Sequence, residues 1–430
     1  MHLSYEAVCE ELDRRRRIAL GFERIEALLK LLDDPQRSLR VVQVVGTNGK
    51  GTTAVALAAA LKAAGHACGT YLSPHVLSYT ERVMLHGHFV AEEDFAATMG
   101  KAIEVADANG VPATQFELLT AGTLALFRDA KLEWAILEAG LGARHDATSA
   151  AQPEAVVLTN VGRDHTEYLG DTVEKIAEEK LASLHPGATL VLGTNDPRVV
   201  GVARETVKKV GASLVEYREQ EERHQAASGV EKSTTPYSLL PTPRSEATYL
   251  AHNERLGARA AEVLLGRPLR RDERQTARGL ARAARLPARF EVHEVRGVPV
   301  IVDGGHNPEG LEAALGAVRA EHAGRPLGVV FGALKDKDVG TMLAALEREA
   351  HALVLTRPAG ATDGRALDPR SVEKEYGPRD TEGRRARVAS DAGEALCLAV
   401  EEMERAGGAV LVTGSLYTGA GVLRWMRRGR

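Results

Sequence analysis

The stretch VVQVVGTNGKGTT, Val41–Thr53, decides how the chain is read. It begins inside the run Leu39–Val45, which is short, apolar and rich in valine and so predicts a buried strand. After a glycine-rich turn, Thr53–Ala64 is rich in alanine and leucine and predicts a helix that ends at Gly65. Strand, glycine turn and helix in this order make a phosphate cradle. A bound phosphate needs backbone N–H groups brought close, a lysine for charge and a hydroxyl for magnesium, with the positive end of a helix behind them. Gly46, Gly49 and Gly51 allow the close approach, Lys50 supplies charge, and Thr52 or Thr53 supplies the hydroxyl; Thr47 and Asn48 complete the loop. The strict pattern GxxxxGK[ST] is not met. Val44 stands at its first glycine, and Gly51 separates the lysine from the threonine.

Working outward, residues 1–35 read as helical, with a turn at Asp33-Asp34-Pro35. Strand-like runs follow at Trp134–Glu138, Ala155–Asn160 and Thr189–Leu192, separated by helical stretches that include Leu118–Asp129 and Thr172–Leu184. This alternation predicts an α/β fold, a parallel sheet covered on both faces. Residues 217–247 are polar and break the pattern, as an irregular insertion would. A helix is expected over Asn253–Leu265, and a second alternation begins near residue 292. Its strands are expected at Val298–Val302, Leu327–Phe331, Ala352–Leu355 and Ala409–Thr413, and its helices at Pro308–Arg319, Val339–Arg348, Ala392–Arg405 and Gly419–Arg427. A chain of 430 residues exceeds one typical core. Two domains are expected, residues 1–291 and a smaller one, 292–430.

Charge is nearly balanced, 55 basic against 59 acidic residues for a net −4, which argues against nucleic-acid or membrane-surface partners. The basic run Arg14–Arg17 is flanked by Glu10, Glu11, Asp13 and Glu23 and reads as a solvated helix face. Three cysteines without a CxxC pair, no signal-peptide core and no apolar run of membrane length predict a cytoplasmic protein.

Ligands of parallel sheets gather beyond the carboxyl ends of the strands. Glu138 ends one predicted strand, and His165 lies in NVGRDHTEYLG just after another. Lys180 falls on the apolar stripe Val173, Ile176, Ala177, Leu181 and Leu184 of a helix with a capping box from Asp171 to Glu174. A lysine facing inward either snorkels to solvent or is paired or chemically changed. In VPVIVDGGHNPEGLEAAL, Asn307 caps a helix and Pro308 fits its first turn, which leaves Asp303 and His306 unexplained at a strand end. GALKDKD and TGSLYTG follow two further strands, so three polar loops share one edge.

Together these motifs resemble the folate branch of the Mur ligase superfamily, dihydrofolate synthase and folylpolyglutamate synthase. The resemblance rests on GTNGKGTT, LSPHVLSYTERV, TQFE, EAGLGARHDAT, DHTEYLG, IAEEK, DGGHNP and GALKDKD in this order. It implies a P-loop Mur-ligase domain with a parallel sheet, followed by a smaller Rossmann-like domain. It also implies a reaction in which ATP phosphorylates a carboxylate and L-glutamate displaces the phosphate to form an amide. The substrates implied are dihydropteroate or a reduced folate together with glutamate, the ions two Mg2+ and K+, and the chain a monomer. Carried over by position, Lys50 and the loop amides match ATP-phosphate ligands; Thr52, Ser73, Glu138 and His165 match metal ligands, and Lys180 matches a carbamylated lysine. Asn253, Arg289 and Asp303 match nucleotide contacts, Arg82, His306 and Ser415 the glutamate site, and Thr114, Phe116 and Asp146 the pterin pocket. The sequence departs from the family pattern at Ala143, His145 and Ser149, in EKLASL and in GGHNP.

Two other readings compete. A cell-wall-type Mur ligase carries a nucleotide-sugar domain ahead of the loop, and the 45 residues before Gly46 are too few for one. A P-loop regulatory protein without ligase activity leaves DGGHNP and Lys180 without a purpose.

Overall fold

The computed structural model describes residues 3–217, 248–361 and 364–428. Most of the polar stretch expected to be irregular, 218–247, lies outside the described residues. The chain forms two compact units, the described residues of Met1–Pro241 with Leu250–Arg285, and those of Thr242–Tyr249 with Leu286–Arg430.

The first unit is built on eight strands: β1 (Arg40–Val45), β2 (Cys68–Tyr71), β3 (Val83–Leu85), β4 (His88–Phe89), β5 (Trp134–Glu138), β6 (Ala155–Leu158), β7 (Thr189–Leu192) and β8 (Ser213–Glu216). Their order is β4-β3-β2-β5-β1-β6-β7-β8. All neighbours from β2 to β8 pair in parallel, whereas β3 and β4 add an antiparallel edge. The valine-rich strand β1 is central, flanked by β5 and β6, and buried from Val41 to Val45. Helices cover both faces. One core layer gathers Leu28, Phe95, Met99 and Phe127, and the other gathers Val173, Ala177, Leu190 and Val199.

The second unit has six strands: β9 (Glu291–Val295), β10 (Val298–Val302), β11 (Leu327–Phe331), β12 (Ala352–Leu355), β13 (Arg387–Val388) and β14 (Ala409–Thr413). They run β13-β12-β11-β14-β10-β9, parallel except for the β9–β10 hairpin.

Three local expectations are corrected. The first 35 residues are not one helical segment: Tyr5–Arg14 and Glu23–Leu31 are separate helices. The arginine run is therefore not a helix face, since only Arg14 is helical. Arg14 and Arg17 are exposed, as expected of a solvated run, while Arg15 pairs with Asp107 at 2.9 Å and Arg17 donates to the Pro112 carbonyl at 2.6 Å, which fastens the segment to the unit. The helix bearing Lys180 is Val173–Lys180, and it is capped by Thr172, whose hydroxyl accepts from Lys175 N at 3.2 Å. Asp171 instead binds the Lys175 ammonium at 2.9 Å.

Candidate functional site

The site begins where β1 ends. Gly46 has φ 148°, and a Cβ there would lie 1.9 Å from Thr159 Oγ1, so only glycine fits between β1 and the segment leaving β6. That segment holds the loop by backbone and side chain. Thr159 Oγ1 donates to Asn48 O at 2.7 Å, Asn48 N donates to Asn160 Oδ1 at 2.9 Å, and Thr47 N donates to Asn160 O at 3.0 Å. Gly49, at φ 82°, begins the helix Lys50–Ala63 without any side-chain cap. The amide of Asn253 lies against Gly49, where a Cβ would come within 2.5 Å of it. Helix N-termini carry partial positive charge and N–H groups without helical partners, so this uncapped end is suited to an anion.

Two lysines converge on the loop. Lys50 Nζ arches back to the carbonyls of Gly46 and Thr47, 3.2 Å from each. Lys180, only 5% exposed, donates to the same Gly46 carbonyl at 2.9 Å. Burial pushes the Lys180 ammonium down to about 7, and the positive charge of Lys50 pushes in the same direction. The snorkelling alternative for Lys180 is thus excluded by its geometry.

Glu138 sits at the end of β5 in register with Val44 of β1, 4% exposed, and its Oε2 accepts from Ser73 N at 2.9 Å. Ser73 follows β2, so strands on one side of β1 bring Ser73 and Glu138 together at the loop's edge of the sheet. His165 lies beyond β6 in the left-handed region, φ 52°, with its Nε2 3.9 Å from Asp164 Oδ2. Of the two loop threonines, Thr53 is fully buried and Thr52 is half-buried.

The residues expected at the pterin pocket fall in one neighbourhood. Phe116 and Asp146 both border Gly140, whose Cβ would lie 2.8 Å from the Phe116 ring and 3.3 Å from Asp146 Oδ2. The half-buried Phe116 ring also stands 5.7 Å from that of Tyr71. Asp146 is buried, holds Gly140 N and Leu141 N at 2.8 and 2.9 Å, and is lifted above the usual carboxylate range by that burial. Thr114 caps the helix Gln115–Asp129 in a reciprocal box with Glu117. Arg82 is buried with its Nε 2.8 Å from His75 Nδ1.

Within the second unit, Asp303 follows β10 directly and is buried. Its carboxylate accepts from Gly305 N at 2.9 Å, Phe290 N at 3.0 Å and Tyr249 OH at 2.5 Å. Arg289 lies beside Gly304, between Ala288 and Phe290, which both have positive φ. His306 Nδ1 is 3.0 Å from Gly304 O, and Ser415 Oγ accepts from Tyr417 N at 3.1 Å.

Sequence reasoning missed several residues. Asn160 and Thr159 organise the phosphate loop, and their only signal was position at a strand end. Lys337 of the GALKDKD loop has a side chain 5% exposed and 3.2 Å from Asp336. Its alternation with acidic neighbours reads as a solvated turn, which hides the burial. Among the described residues no group of three or more His, Cys, Asp or Glu side chains is placed to hold a metal, and no helix is long and apolar enough to cross a membrane.

Residues 44–248 match the Mur ligase middle domain, and residues 288–416 match the Mur ligase glutamate ligase domain. The dihydrofolate synthase/folylpolyglutamate synthase of Escherichia coli is 34% identical over 82% of this chain and 81% of its own length. That of Bacillus subtilis is 31% identical over 77% of this chain and 80% of its own. The chain belongs to the folate branch of the Mur ligase family. Its activity is that of an ATP-dependent ligase, and the reading as a non-ligase regulatory protein falls. The cell-wall alternative gives way as well, since these relatives are folate-branch enzymes. A solved structure titled E. coli FolC in complex with DHPP and ADP superposes with a TM-score of 0.82, covering 100% of both chains at 26% identity. A bifunctional folylpolyglutamate synthase/dihydrofolate synthase with Mn, AMPPNP and L-glutamate bound gives 0.80, at 27% identity over 99% of this chain and 98% of the other.

Proposed function

We propose that this chain uses ATP to join L-glutamate to the carboxylate of dihydropteroate or of a reduced folate, passing through an acyl phosphate. The observation that carries the reading is the pair of lysines on the Gly46 carbonyl beside an uncapped helix end. Lys50 and those N–H groups of the Gly46–Thr53 loop that neither Asn160 nor the helix engages bind the ATP phosphates, and Asn253, against Gly49, helps to place the nucleotide. Arg289 and Asp303 are also assigned to the nucleotide, Asp303 by holding the Phe290 backbone beside Arg289.

The residues present fit a magnesium ion. Mg2+ takes oxygen ligands, usually one or two carboxylates completed by substrate phosphates and water. Glu138 is a single buried carboxylate at the loop's edge of the sheet, and Thr52 and Ser73 add hydroxyls. Lys180 at about 7 is in good part a free amine near neutral pH, the form that reacts with carbon dioxide to give an anionic carbamate. His165 completes the proposed set. Bound magnesium would neutralise the phosphates and the transferring group. The proposal includes a second magnesium and a potassium ion, and titrating each cation against turnover counts them.

For the acceptor, Phe116, near the start of the helix that Thr114 caps, offers a ring face for a pterin beside the Gly140–Leu141 turn that Asp146 holds in shape. Arg82, His306 and Ser415 are assigned to glutamate, an anion that an arginine suits. Residues 1–291 would form the ATP-binding Mur-ligase-like domain, and residues 292–430 the Rossmann-like glutamate-ligase domain. Three free cysteines and no described membrane-crossing helix support a cytoplasmic setting, and the chain acts as a monomer.

The test is purified protein with ATP, magnesium and glutamate, given dihydropteroate or tetrahydrofolate separately. ADP release that requires glutamate and one acceptor supports the reading and says which activity is present. Release indifferent to both acceptors overturns it.

A further inference from the structure

One polar side chain interrupts the valine run of β1. Gln43 stands between Val42 and Val44, in register with Leu137 of β5 and Val156 of β6, and is fully buried. Its Nε2 donates to Thr148 Oγ1 at 2.7 Å and to Ser149 Oγ at 2.8 Å. Its Oε1 has no partner among the described residues. A buried amide paired at one end only costs stability, and an aliphatic side chain would fill the same space without that cost. Packing therefore does not explain a glutamine at this point of the strand.

The hydrogen bonds run in one direction. Thr148 Oγ1 donates to Asp146 Oδ1 at 2.5 Å, and Ser149 Oγ donates to Ala143 O at 2.7 Å. With their protons engaged there, both hydroxyls accept from Gln43, so the amide nitrogen faces them. Asp146 ends the chain. Its Oδ1 also accepts from Thr148 N at 3.0 Å, and its Oδ2 accepts from Gly140 N and Leu141 N. Burial lifts the Asp146 carboxyl, and the Thr148 hydroxyl opposes that lift more than any backbone donor does. One buried amide thus fastens the segment Gly140–Ser149 through both of its internal supports, Asp146 and the Ala143 carbonyl.

The segment lies on the side of the sheet to which the acceptor is assigned. Ala147 and Ala151, from the short 3-10 helix Ala147–Ala151, share a core layer with Tyr71 and Phe116. Gly140 is exposed beside the Phe116 ring. Gln43 itself is three residues before Gly46, on the strand that enters the phosphate loop.

We propose that Gln43 is a positioning residue for the acceptor, setting the Gly140–Ser149 segment against the strand that carries the phosphate loop. The inference rests on the proposed placement of the acceptor beside Phe116. Acceptor wall and phosphate loop are then referred to one rigid strand. In-line transfer between two bound substrates tolerates little misplacement, which gives such an anchor its value.

The test is steady-state kinetics of the full chain with ATP, glutamate and the acceptor that wild type uses. Gln43→Met keeps the length of the side chain and removes both donors. The acceptor KM rises about tenfold, the scale of losing two neutral hydrogen bonds. The KM for ATP stays within about twofold of wild type, and kcat moves less than the acceptor KM. Thr148→Val gives a similar rise, Thr148→Ser restores most of it, and the double variant Q43M/T148V adds little to either single one. Should Q43M melt early, Ser149→Ala is read in its place; it removes one of the two bonds and raises the acceptor KM about threefold. An unchanged acceptor KM in the folded variant overturns the Gln43 role, as does an equal rise in the KM for ATP and for acceptor, the mark of general loosening. Failure of the reading beneath it shows separately. Phe116→Ala would then leave the acceptor KM unchanged, or wild type would release no ADP in a glutamate-dependent way, and either result removes the Gln43 role as well.

Discussion

Two glycine turns in this chain look alike in sequence and differ in what they leave open. Both follow a buried parallel strand and lead into a helix, Gly46–Gly49 after β1 and Asp303–Asn307 after β10. In the second, the turn satisfies itself. Asn307 Oδ1 accepts from Gly310 N at 2.8 Å, Pro308 has no N–H to offer, and Asp303 takes Gly305 N. In the first, no side chain caps the helix, and the nearby cations are lysines. A strand–glycine–helix unit becomes an anion cradle when its own side chains decline to fill the helix end. The difference between the two regions can be broken or sharpened by substitution.

The largest effect is expected at Lys50. Removing one preorganised cation from a transferring phosphoryl group costs on the order of 10²–10³ in kcat. Lys50→Ala should lose glutamate-dependent ADP release by about that factor, read by steady-state kinetics. Activity within a factor of about two of wild type would mean the cradle is not the ATP site. Lys180→Ala should also lower kcat sharply while leaving the circular dichroism spectrum unchanged.

Lys180 adds a pH signature. Its folded value, about 7, lies below the ordinary lysine value. Between the two, the unfolded chain binds more protons than the folded one, so this group makes stability rise with pH through that window. Below about 7 the buried lysine is charged in both states, and the cost of burying that charge is felt in full. Lys180→Met should flatten the rise of denaturant stability between about pH 7 and pH 10, measured by urea melts. An unaltered slope would remove the buried-amine account, and with it the physical basis for carbamate formation.

Much of the architecture was legible because buried parallel strands read as unbroken apolar runs. β5, β7, β10, β11, β12 and β14 stand where their runs place them. The edges were not legible. β2 is only CGTY, β4 is two residues, and β9, EVHEV, alternates because one side is exposed. The helix Arg271–Ala283 hid for a related reason, its inner face being mostly alanine. At the site, the burial of Lys180 was readable from helical period. The Asn160 grip on the loop was not, because it joins residues more than a hundred positions apart and follows no period.

Gly49→Ala is expected to act next in size. Its φ of 82° costs an L-residue about 1–3 kcal/mol. The new Cβ must also displace the Asn253 amide. Both a lower melting temperature and weaker ATP binding should follow, and loss of stability without loss of binding would separate the loop from the nucleotide.

The smallest effect belongs to the turn that closes on itself. Asn307→Ala removes one cap, and such losses cost about 1 kcal/mol. Because that cap serves a backbone N–H and not a ligand, the loss should appear in the denaturation midpoint, with ATP affinity unchanged in equilibrium binding. Asn307→Asp is the sharper partner, since aspartate caps as well as asparagine and adds charge favourable to a helix start. It should restore the midpoint. If glutamate KM then rises while stability is regained, Asn307 has a ligand role that its capping geometry conceals, and the contrast between the two turns is narrower than their hydrogen bonds imply.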